Sequence, residues 1–205
     1  PLCEQLSFLS IFQSNLDEFY MVRVGSLFDM PPDEKENKTH MTAKEQLSAI
    51  FMESKALLSE KDKTYKKLCE ELKTHGAEIV DFHTINDTEA SYLERYFRSE
   101  IEPLLSPQIV GKKQPFPFLH NKAIYAVVVL EKKGNEKLGI VPCTSTVIPE
   151  LIPLPGSAHR FILSEELILH FMPDIFSHHT IKSKTLIRII RSADIDTEED
   201  SIAEE

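Results

Sequence analysis

The hydrophobic pattern of this chain changes period at Gly76, and that change constrains the fold more than any other feature. Before it, apolar residues recur every three or four positions: Leu2, Leu6, Leu9 and Phe12, then Leu16, Phe19, Tyr20 and Leu27, then a stripe from Leu47 through Phe51, Leu58, Tyr65 and Leu68 to Leu72. That spacing lines one side of a helix. After it come short runs rich in valine and isoleucine, at 123–130, 137–141, 151–154, 160–163 and 184–190, which suit strands. The pattern predicts an α+β chain: a three-helix all-α domain over residues 1–76, then a mixed α+β domain with an antiparallel sheet over 77–205.

Local signals punctuate this plan. Residues 31–38 are polar, without periodicity, and read as a loop. Thr42 with Glu45 has the spacing of a capping box and opens the long helix that Gly76 closes. Asn86 and Asp87 cap a helix running to about Glu100, with Pro103 and Pro107 beyond it. Ser164 is expected to cap a helix through Phe171, and Gly134-Asn135 to turn a hairpin.

The polar cluster Ser14-Asn15-Leu16-Asp17-Glu18 interrupts the first stripe and predicts a break, with two amphipathic helices meeting at Asn15. Ser14 with Asp17, or Asn15 with Glu18, has capping-box spacing. Arg23 shares a stripe with Leu16, Phe19 and Leu27, where a permanent charge needs a partner: Asp17, Glu18 or an acid of a neighbouring helix.

Composition excludes several functions. With 33 acidic and 23 basic residues the net charge is −10, so the surface as a whole repels nucleic acid and other polyanions. The basic span Lys112, Lys113, Lys122, Lys132, Lys133 and Lys137 is opposed by Glu131 and Glu136 and reads as solvated turns and hairpin edges. Cys3, Cys69 and Cys143 have no metal-ligand spacing and suit a reduced, cytoplasmic setting. The longest apolar run, 123–130, is too short to cross a bilayer, so no transmembrane segment is expected. The six glycines form no phosphate-binding loop, and no Gly-x-Ser-x-Gly occurs. His170 and the pair His178-His179 read as surface or edge residues. The acidic run Asp194, Asp196, Glu198, Glu199, Asp200, Glu204 and Glu205 reads as the start of an exposed helix rather than a metal site.

The wording of the chain resembles bacterial polyphosphate kinase. The family pattern PLxExLxFLxIxSxNLDEFxxVR is matched by PLCEQLSFLSIFQSNLDEFYMVR at 1–23 at every specified position but one, where Gln13 stands in place of Ser. QPFPFLHNKAIYAVVVL at 114–130 is similar to the family's HPFPFLSNxSLNLAV, and 138–155 to its strand pair ending in a Pro-flanked turn. RFILSEELILHFMPDIF at 160–176 is similar to RFxLLEDLIxHxLxxLF, and IRIIRSADIDTEED at 187–200 to FRxTRNADLxxDEE. Gln114 stands where the family usually has His, and Ser192 where it usually has Asn.

The resemblance implies a fragment: most of the family's N-terminal domain and the first part of its head domain, with the phospholipase-D-like catalytic domains and their phosphorylated histidine beyond Glu205. The full-length enzyme would move the terminal phosphate of ATP reversibly onto a polyphosphate chain, leaving ADP, through a phosphohistidine and with Mg²⁺, as a cytoplasmic dimer joined through the head domain. Asn15 matches the family's nucleotide-contacting Asn, and a carboxamide, donor and acceptor together, suits an adenine edge. Capping and contact are compatible roles. Arg23 would face the nucleotide tunnel if it is not structurally paired. No residue here inherits a catalytic or metal-binding role, and the fragment alone is expected to be inactive. The alternative is a non-catalytic interaction and dimerisation module in which Asn15 is only a cap.

Overall fold

The computed structural model describes residues 1–31, 33–111, 115–156 and 159–192; Lys112, Lys113, Gln114 and the acidic run from Asp194 lie outside them. Contacts divide the chain into two units, Pro1–His75 with the stretch from Ile190, and Gly76–Ile189.

The first unit is helical. α1 (Leu2–Phe19) runs into a π-helical turn (Tyr20–Val24), then α2 (Gly25–Phe28), and a loop leads to α3 (Ala43–Thr74). Among the described residues three α-helical segments are present, but the expected break at Asn15 is not: Ser14 and Asn15 lie inside α1, and neither is a cap. The physical reason is packing. Each polar residue costs only about 0.5 kcal/mol of helix propensity, whereas the next turn is anchored. Asp17 is buried, 5% exposed, and accepts a hydrogen bond from Gln13 Nε2 at 2.8 Å. Gln13 Oε1 in turn accepts one from Lys61 Nζ of α3 at 2.8 Å. The irregularity falls at Tyr20–Val24 instead. There the Tyr20 ring stacks on Phe51 of α3, with centroids 6.3 Å apart.

α3 begins as expected, Thr42 Oγ1 accepting the Glu45 N–H while Glu45 Oε2 accepts the Thr42 N–H. Its 32 residues give a rod of about 48 Å at 1.5 Å per residue. Gly76, at φ +82°, takes the left-handed position past its end.

The second unit is α+β. One sheet has the order β2 (Gln108–Val110), β4 (Asn135–Pro142), β3 (Ile124–Lys132), β7 (Thr180–Arg188), antiparallel throughout. A smaller one has the order β1 (Glu78–Ile79), β6 (Arg160–Leu163), β5 (Leu151–Pro153), with β1 parallel to β6. Lys132 pairs with Asn135, so the hairpin turns on Lys133 and Gly134 rather than on Gly134-Asn135. Both have positive φ, +53° and +75°, as a type I′ turn requires at its two central residues.

α4 (Asp87–Tyr96) carries a full capping box between Asn86 and Glu89 and passes through a second π turn (Phe97–Ile101). Buried Glu89 also pairs with Arg160, which reaches Glu78 at 3.0 Å. α5 (Ser164–His170) does not have Ser164 as its cap. β6 runs straight into the helix, Leu163 holds the cap position, and Ser164 is the first helical residue, its N–H given to Glu150 C=O at 3.0 Å. A short α6 (Met172–Ile175) follows. Leu93, Phe97, Leu130, Ile162, Ile168 and Met172 fill the core between these helices and the sheets. Phe97 and Phe171 stack there with centroids 4.4 Å apart.

Candidate functional site

α1 presents two unlike sides. Toward α3 it turns Gln13 and Asp17, already tied to Lys61. The other side is apolar yet exposed: Phe8 (69%), Ile11 (53%), Phe19 (39%) and, in the π turn, Val22 (57%). Asn15 sits in the middle of that side, four residues from Ile11 and four from Phe19. It is exposed, and its carboxamide has no hydrogen-bond partner among the described residues. A lone carboxamide ringed by apolar side chains can do two things at once. It offers a donor and an acceptor to a planar polar edge, and its surroundings exclude water from that edge when covered.

Arg23 goes elsewhere. Its Nη2 donates to Glu36 Oε1 and to Gln46 Oε1, both at 2.8 Å. Gln46 Nε2 donates to Met41 C=O at 3.3 Å, and Glu36 Oε2 accepts from the Thr39 hydroxyl at 2.9 Å. The guanidinium therefore ties the π turn to the loop ahead of α3, and its acid comes from that loop rather than from Asp17 or Glu18. The Thr39 hydroxyl, then Arg23, hold the Glu36 carboxyl below the usual carboxylate range. Asn15 and Arg23 are thus on one run of helix, but their side chains have different surroundings.

One contact at this end has no local signal in the sequence. A Cβ built on Gly25 would meet Ser192, so the stretch after β7 rests on helix backbone immediately beyond the π turn. A glycine inside a helical stripe is the only hint of such a close approach.

The remaining candidates in the second unit are not brought together. His170 stacks on Phe82 with centroids 3.5 Å apart, and burial followed by the Lys184 ammonium lowers its pKa below the ordinary histidine range. His178 and His179 lie in the turn before β7. Lys132, Lys133 and Lys137 are exposed on the β3–β4 hairpin. Cys143 is buried, which pushes its thiol up to about 12 and keeps it protonated and unreactive. Among the described residues no group of three or more His, Cys, Asp or Glu is placed to hold a metal ion. No helix among them is long and apolar enough to cross a membrane.

Comparisons with known proteins agree on one family. The family model described as polyphosphate kinase N-terminal domain matches residues 1–80, and that described as polyphosphate kinase middle domain matches 88–204. Polyphosphate kinase of Bacillus cereus is 36% identical across 98% of this chain, and that of Halalkalibacterium halodurans 37% identical across 98%. The chain spans 30% of the length of each. The crystal structure of polyphosphate kinase from Porphyromonas gingivalis superposes with a TM-score of 0.68 over 91% of this chain and 28% of that one, at 23% identity, a likeness of fold.

Proposed function

The chain belongs to the polyphosphate kinase family, and from that premise we propose that the full-length protein transfers the terminal phosphate of ATP reversibly to polyphosphate, with Asn15 of this part touching the adenine. The observation that supports the contact is the position of Asn15. Its carboxamide is exposed, unbonded among the described residues, and flanked by Ile11 and Phe19 on an apolar helix face. Asparagine pairs well with the donor and acceptor that adenine presents side by side. The apolar flank would shield that pair from water once the nucleotide and the rest of the protein close over it.

The phosphohistidine chemistry belongs to the part of the protein outside this span. Mg²⁺, implied for the full-length enzyme by the same resemblance, has no ligand cluster among the described residues. Head-domain dimerisation and a cytoplasmic location rest on the family resemblance.

A second reading draws on the same face. Phe8, Ile11 and Val22 are exposed apolar residues in a row, which also suits a protein interface without nucleotide contact. Steady-state kinetics of the full-length Asn15→Ala variant separates the two. Nucleotide contact raises the KM for ATP about tenfold, the loss of roughly 1.4 kcal/mol of hydrogen bonding, and leaves the KM for polyphosphate alone. An unchanged KM for ATP would sink the nucleotide role. Phosphate transfer from radiolabelled ATP, measured beside the 205-residue chain, should be seen in the full-length protein alone.

A further inference from the structure

The second unit holds a cavity of about 550 Å³, lined in part by the turn at 120–123 and by residues just after β4. That volume takes a small ligand. Three of its lining side chains are hydroxyls in the same condition. Tyr125 Oη accepts the His120 N–H at 2.8 Å, Thr144 Oγ1 the Ile124 N–H at 2.9 Å, and Ser145 Oγ the Val147 N–H at 3.3 Å. Each oxygen thus serves a backbone donor and keeps its own proton to give. None of the three has an acceptor for that proton among the described residues.

Lys122, an exposed residue, also lines the cavity, and its ammonium has no acid or acceptor beside it among the described residues. Among the described residues no carboxylate lines the cavity, in a chain whose acids outnumber its bases 33 to 23. Lys122 also has φ +61°, in the turn closed by Ala123 N–H to His120 C=O, a position that glycine or asparagine fills with less strain. Strained residues of this kind gather at ligand clamps. Hydroxyl donors and an ammonium lining one cavity are the groups that bind an anion.

We propose that this cavity binds a small phosphoryl anion, with Lys122 supplying the charge and Tyr125, Thr144 and Ser145 the hydrogen bonds. Three hydroxyls and an ammonium suit the three terminal oxygens of a phosphoryl group better than the two of a carboxylate. The assignment does not depend on the role of Asn15.

Lysine acylation of the full-length protein, read peptide by peptide in a mass spectrometer, tests it with pyrophosphate, AMP and malonate as probes. Lys133 is the internal control: it has a similar backbone conformation, φ +53°, is exposed, and does not line the cavity. Pyrophosphate should slow acylation of Lys122 at least fivefold and leave Lys133 unaffected, and malonate should protect neither. Equal protection by AMP would place the phosphoryl group on a larger molecule; protection by pyrophosphate alone would make the ligand a free inorganic anion. Tyr125→Phe and Thr144→Val, each removing one donated proton, should each reduce the protection. No slowing at Lys122 by either phosphoryl probe, slowing equal to that at Lys133, or equal protection by malonate overturns the proposal.

Discussion

The hydroxyl oxygen of Ser192 lies 2.8 Å from the point that a Cβ on Gly25 would occupy, and its Cβ lies 3.2 Å from the same point. A helix residue is therefore glycine because another stretch of chain rests on it. Gly25 has ordinary helical angles, φ −51° and ψ −55°, so alanine there would gain about 1 kcal/mol of helix propensity if nothing stood in the way. With Ser192 in place, that gain is opposed by overpacking, which costs about 1–3 kcal/mol in a filled site. Gly25→Ala should therefore be neutral to destabilising in the natural background. In a Ser192→Gly background, where only the Ser192 Cα at 3.5 Å remains as an ordinary contact, it should become stabilising. Urea denaturation of the four proteins of this cycle reads the sign change; equal effects in both backgrounds would mean the contact carries no energy.

What the sequence disclosed follows the range of each interaction. The box at Thr42 with Glu45 and the cap at Asn86 were legible because each cap's partner lies within one turn. The same spacing misleads at Asn15, where the burial of Asp17 against α3 outweighs a local preference for capping. β1 is two residues long and exists only through its pairing with β6, so no periodicity announces it. The hairpin turn was displaced by one residue because strand register, not the Gly-Asn pair, fixes which residues need positive φ. Nothing in the sequence links Ser192 to Gly25; only the fold sets one on the other. The candidate site was legible in part: Asn15 was singled out by its motif, but its apolar exposed neighbours emerge only once α1 is continuous.

Asn15→Ala makes a stability measurement as informative as a kinetic one. Inside an exposed stretch of helix, alanine should raise stability by about 0.5 kcal/mol. At an N-cap the same change would lower it by about 1 kcal/mol. Because α1 runs unbroken to Phe19, chemical denaturation of the variant should show a gain. A loss would mean that the helix does break at this residue in solution. A raised KM for ATP in a protein that has become more stable could not be blamed on misfolding.

The Arg23–Glu36 pair should be sensitive to acid. The folded-state pKa of Glu36 is lowered from its ordinary 4.5, first by the Thr39 hydroxyl and then by Arg23. A carboxylate with a depressed folded pKa contributes stability that is complete above the unfolded pKa and disappears as pH falls through the folded one. Both groups are partly exposed, so the contribution is small and salt-dependent. Thermal melts of the natural chain and of Glu36→Gln should differ at pH 7 and converge below the ordinary carboxylate range. A difference that persists unchanged at the most acid pH would show that the glutamine disturbs packing rather than charge.

The three thiols should report the two units separately. Cys3 is exposed on α1 and Cys69 half-buried on α3, while Cys143 is buried in the second unit with its pKa raised to about 12 by desolvation. Reaction with a disulfide reagent needs both access and thiolate. At pH 8 Cys3 should label at once and Cys69 more slowly, whereas Cys143 should label only when its unit opens. Its rate should then rise with denaturant along the unfolding curve of that unit rather than with pH through the ordinary thiol range. A Cys143 that labels promptly in the native chain would mean that the packing around it at the end of β4 is open in solution.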